Sequence, residues 1–143
     1  MEQAEDLEII VYAAPSSPSF QTIVLSAFDF EQTLDRLKQA IAAHDLWLIQ
    51  EINPQMLLAR GGYAIAPARQ LFFFHARYVA RMLTVDPAAL PEIPLKFVVM
   101  QMPDGSVSVR YCTVDSLLGR YPGLADLASE LDAIVGTLID AIR

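Results

Sequence analysis

Apolar and polar positions along this chain repeat with two different periods, and the changes between them mark out its elements. LEIIVYA, residues 7–13, and FQTIVLSAF, residues 20–28, are rich in β-branched and aromatic residues and read as strands. PSSPS between them, 15–19, is a loop by its prolines and serines, so the two strands are expected to pair as a hairpin. Asp29 then stands where a helix cap belongs, with Gln32 at the capping-box position. Leu34, Leu37 and Ile41 follow at helical spacing, Arg36, Lys38 and Gln39 fall off that stripe, and His44-Asp45 closes the helix. LWLIQEI, 46–52, is a strand. Asn53-Pro54 starts a short helix that Gly61-Gly62 ends.

RQLFFFH, 69–75, is apolar on both sides, which predicts a central, covered strand. Tyr78 to Val85 reads as a short helix stopped by Asp86-Pro87, and Pro87, Pro91 and Pro94 punctuate a linker. LKFVVMQM, 95–102, then PDG, then SVSVRYCTV, 106–114, is the strongest hairpin signal in the chain. Its second arm alternates strictly, with Val107, Val109 and Tyr111 on one face and Ser108, Arg110 and Cys112 on the other. The chain ends in a long amphipathic helix from about Leu124 to Ile142, with Leu124, Leu127, Leu131, Ile134, Val135, Leu138 and Ile142 as its apolar stripe. Strands and helices are mixed, and the tight PDG turn forces antiparallel pairing. The expected class is α+β, a mostly antiparallel sheet with helices packed on one face.

Composition narrows the function classes. A chain of 143 residues is long enough for one domain with a full core. Its 54% hydrophobic content and mean hydropathy of +0.35 are high for its size, which predicts apolar surface covered by a second subunit. The long strand SVSVRYCTV adds to the expectation of a homodimer, since an unprotected sheet edge tends to be paired. No apolar run approaches the roughly 20 residues a membrane span needs, and the acidic start MEQAEDLE lacks the basic region of a signal peptide, so the chain reads as cytoplasmic. The net charge is −7 and the ten Lys and Arg are scattered, which argues against nucleic acid and against anionic membranes as partners. A single cysteine, Cys112, and two histidines, His44 and His75, rule out an internal disulfide and a cysteine zinc cluster. No HExxH, P-loop, GxSxG or GxGxxG occurs, and no cofactor is called for.

The candidate chemistry lies behind the phenylalanine run. His75 marks the strand end, and Arg77 and Arg81, four apart, share one face of the helix that follows. Free N–H groups at a helix start attract anions, and Ala76 offers no capping oxygen, so a ligand, a water or the His75 imidazole must satisfy them. A small carboxylate, phosphate or sulfur oxyanion suits such a site. The other reading has both arginines solvated or paired with Asp86, Glu92 or a carboxylate of a second subunit. His75 has further roles open to it, as a general base, an axial haem ligand or a hydrogen-bonded structural residue. Cys112, one residue past Tyr111, is either an inert strand residue or a reactive thiol if Arg110 or another basic neighbour lowers its pKa. Tyr63, Tyr78, Tyr111, Tyr121 and Trp47 line a pocket or fill core and interface.

HARYVARMLTVDP, 75–87, and IPLKFVVMQMPDGSVSVRY, 93–111, resemble the domain-of-unknown-function family DUF302. The similarity runs over roughly residues 20 to 143, leaving 1–19 as an N-terminal extension with an extra strand on a single domain. Arg77 stands at the family's lysine position, and Arg81, Asp86-Pro87, Pro94 and Gly105 match its pattern. The chain departs from it at Phe74-His75-Ala76, where many members have Gly or Cys, Asn, Pro. It departs again at Cys112-Thr113-Val114, where many have Asn-Asp-Pro, and at Asn53-Pro54-Gln55, which lacks the family's histidine. The resemblance implies a TATA-binding-protein-like arrangement of sheet and helices, usually dimeric, with no settled activity. Two functions follow as expectations: a non-catalytic homodimeric domain binding a small anion near His75, Arg77, Arg81, Tyr111 and Cys112, or a small redox or haem-binding accessory protein using Cys112 or His75.

Overall fold

A computed structural model describes residues 6–143, so residues 1–5 of the expected N-terminal extension lie outside the described residues. Five strands form one antiparallel sheet: β2 (Gln21–Leu25), β3 (Trp47–Ile52), β5 (Ala68–Phe74), β6 (Leu95–Gln101) and β7 (Val107–Cys112), in the order β2-β7-β6-β5-β3. The PDG turn joins β6 to β7 as its sequence predicts, with Gly105 at φ 87°, a conformation that costs glycine nothing. One face of the sheet carries Val24, Val107, Val109, Phe97, Val99, Leu71 and Phe73, all buried. Against it lie α1 (Phe30–Ala43) and α5 (Ala125–Asp140), whose buried stripes include Leu34, Leu37 and Ile41 on the first and Leu127, Leu131 and Leu138 on the second. The fold is therefore α+β with helices packed on the sheet. Asp29 and Gln32 form the reciprocal capping box of α1. At its other end Asp45 takes φ 58°, and the amides of Asp45 and Leu46 bond back to the carbonyls of Ala42 and Ile41, which closes a Schellman motif.

Several expectations are corrected by long-range pairing. Residues 7–13 do not form a hairpin with β2. Only β1 (Glu8–Ile9) is a strand, paired in parallel with the equally short β4 (Tyr63–Ala64), while β2 takes β7 as its partner. SVSVRYCTV is consequently not an edge, since β7 is hydrogen-bonded on both sides, and the free edges of the sheet are β2 and β3. The phenylalanine strand β5 is interior as expected, but the middle position belongs to β6. The helix after it, α3 (Ala76–Leu83), starts two residues before Tyr78 because His75 caps it. The proline segment is a 3-10 helix, Pro87–Glu92, capped by Asp86. Beyond α2 (Pro54–Arg60), which matches its cap signals, one more helix, α4 (Val114–Leu118), takes up Val114, which reads as the last strand residue, and residues 115–118, which the pattern assigns to no element. Its first amides, of Val114 and Asp115, donate to the two carboxylate oxygens of Asp132 on α5 at 2.7 and 2.9 Å. That partner is 17 or 18 positions away, and no local pattern announces it.

Candidate functional site

The open face of the sheet, turned away from α1 and α5, is where the polar strand positions collect. Strict alternation puts Ser108, Arg110 and Cys112 of β7 there. The register then places Ile23 and Val98 on either side of Arg110, and Phe72 beside Lys96. At one end of this face, the segment 91–94 and Leu117 wall in a cavity of about 460 Å³. Phe72, Lys96, Arg110 and Cys112 supply its chemistry, with Glu92 at the wall. The volume suits a small ligand.

Each group in the cavity is held differently. Arg110 Nη1 donates to the Ser16 carbonyl and to Gln21 Oε1, both at 3.0 Å. Lys96 Nζ lies 5.5 Å from the centroid of the Phe72 ring, a cation–π distance. Glu92 accepts a 2.6 Å hydrogen bond from the Tyr121 hydroxyl and lies 3.9 Å from the Arg120 guanidinium. That hydrogen bond to a carboxylate is the main reason the Tyr121 phenol is raised above its ordinary value. Cys112 is the chain's only cysteine and is partly exposed. Tyr111 belongs to the helix side, its ring edge-on to Phe97 at 5.4 Å, and touches the cavity from there. Burial pushes its phenol up, partly opposed by a hydrogen bond with Thr22.

The expected residues thus fall into two groups on different parts of the molecule. Tyr111 and Cys112 meet at the open-face cavity, whereas His75, Arg77 and Arg81 belong to the start of α3. His75 caps that helix itself: its Nδ1 accepts the Arg77 N–H at 3.1 Å. Only a ring with Nδ1 unprotonated can do this. The imidazole also packs on Trp47, ring centroids 4.4 Å apart. Arg77 Nη1 binds the carboxylate and the carbonyl of Asp45, each at 3.0 Å, and its guanidinium stacks on Tyr78. Arg81 Nη1 donates to both carboxylate oxygens of Glu130 at 3.0 and 3.1 Å. The hollow beside His75, about 420 Å³, is lined by hydrocarbon from Trp47, Ile49, Val79 and Leu83, and neither arginine lines it. Of the aromatic residues, Tyr78 is buried in the core, while Trp47 and Tyr63 are exposed.

Lys96 and Ser108 escaped sequence reasoning as site residues. For Lys96 the usable signal was a lone charge inside the apolar strand LKFVVMQ. For Ser108 it was the alternation that already paired it with Arg110 and Cys112. Among the described residues, no group of three histidine, cysteine or acidic side chains is placed to hold a metal ion. No helix of the described residues is long and apolar enough to cross a membrane.

No curated protein sequence matches this chain. A crystal structure of an uncharacterized conserved DUF302 protein from Bacillus stearothermophilus shares the fold, with a TM-score of 0.80 at 19% identity, over 88% of this chain and 100% of that one. The profile of the domain of unknown function DUF302 matches residues 22–142, so the chain belongs to the DUF302 family.

Proposed function

We infer that the domain is a non-catalytic binding module for a small organic anion, seated in the open-face cavity between Lys96 and Arg110. One observation carries this reading. Six salt bridges among the described residues engage Lys38, Arg69, Arg77, Arg81, Arg120 and Arg143, and none engages Lys96 or Arg110. In a chain of net charge −7, two cations left without carboxylate partners in one cavity favour an incoming anion. Phe72 beside them favours an apolar or aromatic body on that anion.

Benzoate is a suitable probe, with benzyl alcohol as the neutral control. Titration calorimetry should show saturable benzoate binding that weakens as salt rises. Lys96→Gln should weaken it by roughly tenfold or more, the usual scale for losing a charge-assisted hydrogen bond. Because Cys112 is unique and lines the cavity, benzoate should also slow its alkylation by iodoacetamide. Equal binding of benzoate and benzyl alcohol, or an unchanged affinity in Lys96→Gln, would sink the reading.

The same reading includes self-association. The free edge strand β3 exposes Trp47 (54%) and Ile49 (54%), which supports pairing with a second copy. Sedimentation velocity should give a dimer at micromolar concentration, and Ile49→Lys should shift it to a monomer.

A further inference from the structure

Residues 10–18 form a strap over the open face, and the family match begins only at Thr22. Four contacts hold the strap and its approach. The amides of Glu8 and Ile10 donate to the carbonyls of Gly62 and Ala64, both at 2.9 Å. The Tyr12 hydroxyl donates to the Ala66 carbonyl at 3.0 Å, and the Ser16 carbonyl accepts from Arg110. Between these last two anchors the strap roofs a chamber of about 440 Å³. Residues 12–15 make the roof, and Ile23, Leu25, Met102 and Ser108 the floor. This chamber is distinct from the anion cavity, and Arg110 lines both.

Ser108 marks the chamber as more than a packing gap. Its side chain points to the open face, yet it is only 3% exposed, and its Oγ has no hydrogen-bond partner among the described residues. A buried hydroxyl without a partner costs free energy that a ligand group can recover. The two charged residues lining the chamber, Asp104 and Arg110, are of opposite sign, so neither an anion nor a cation is favoured. Asp104 is moreover occupied, accepting from the amide and the hydroxyl of Ser106 at 2.9 and 2.6 Å. Hydrocarbon supplies most of the remaining wall.

We propose that the strap and the sheet together form a second ligand site, which takes a small, mostly apolar, uncharged molecule whose one polar group hydrogen-bonds Ser108 Oγ. A hydroxyl or carbonyl on an aromatic or short aliphatic body meets that description. The site does not depend on the anion reading, because Lys96 and Cys112 are absent from its walls.

The test uses p-cresol and toluene, which differ by one hydroxyl, titrated into the full chain with backbone amide shifts followed by NMR. Both should saturate and shift the amides of Ala13, Ala14 and Ser108, with p-cresol the tighter by about fivefold, the scale of one net hydrogen bond. Ser108→Ala should erase that preference while keeping toluene binding. Removing a buried hydroxyl that has no partner leaves the fold intact. Tyr12→Phe, which releases one strap anchor, should weaken both probes together without changing their ratio. Lys96→Gln should alter neither, which separates this site from the anion cavity. Shifts that miss the strap amides, a fivefold preference surviving in Ser108→Ala, or probe binding lost on Lys96→Gln would each overturn the proposal.

Discussion

Gly136 lies inside the helix α5, between the buried Val135 and the exposed Thr137, and a Cβ built on it meets nothing within 4 Å. Its backbone is not in the left-handed region, so glycine has no conformational reason to be there. Gly136→Ala removes backbone freedom from the unfolded chain and improves helix propensity by about 0.8–1.0 kcal/mol in a helix interior. No clash offsets this, so the variant should be more stable by about 0.5–1 kcal/mol. For a chain of this length, unfolding entropy near 2 cal/mol/K per residue converts that into roughly 2–3 °C in melting temperature. Urea unfolding at two protein concentrations and calorimetry would measure it. An unchanged m-value would show that only stability moved. A destabilised variant, or a gain present only in dilute protein, would refute the assumption that this face of α5 is open to solvent.

Leu131 is almost wholly buried on the same helix, so Leu131→Ala should cost about 3–4 kcal/mol by denaturant unfolding, from lost transfer energy plus the cavity left behind. Arg77→Ala and Arg81→Ala should each change stability by no more than about 1 kcal/mol, because both ion pairs are solvent-exposed. Stability should fall in alkali. Burial raises the phenols of Tyr12 and Tyr111, and the Glu92 hydrogen bond raises that of Tyr121, all above 10.0. Above that value the folded state holds protons the unfolded state has lost, so the stabilisation is complete below it and drains away as pH climbs through the raised values. The decline measured by urea midpoints between about pH 8 and about pH 11 should be shallower in Tyr121→Phe.

Elements whose signals are local were legible in the sequence. The capping box of α1, the Asn53-Pro54 start of α2, the PDG hairpin and the apolar stripe of α5 all depend on residues within a few positions of one another. What failed depends on partners far along the chain. Residues 7–13 have strand-like composition, but strand formation depends on the neighbour the fold supplies, and for Glu8–Ile9 that neighbour is Tyr63–Ala64, more than 50 residues along the chain. Val114 reads as the end of a strand although Thr113 beside it caps the helix locally, and the Asp132 carboxylate that takes the Val114 amide lies 18 residues away. The same divide runs through the candidate sites. That His75 stands at a helix start could be read locally, but the carboxylates that hold Arg77 and Arg81 lie 32 and 49 residues away.

Sheet register explains why Lys96 and Arg110 on the open face lack carboxylate partners that the arginines of α3 find. A guanidinium on an exposed helix sweeps a wide arc and reaches whatever carboxylate is near, as Arg77 reaches Asp45 and Arg81 reaches Glu130. A cation inside a sheet has its nearest neighbours fixed by strand pairing. Here they are apolar: Ile23 and Val98 flank Arg110, and Phe72 flanks Lys96. Nothing in the ladder therefore neutralises either charge. Arg110 turns instead to the neutral carbonyls of Ser16 and Gln21, which leaves its positive charge uncompensated while anchoring the strap. One residue thus ties the charged cavity to the apolar chamber.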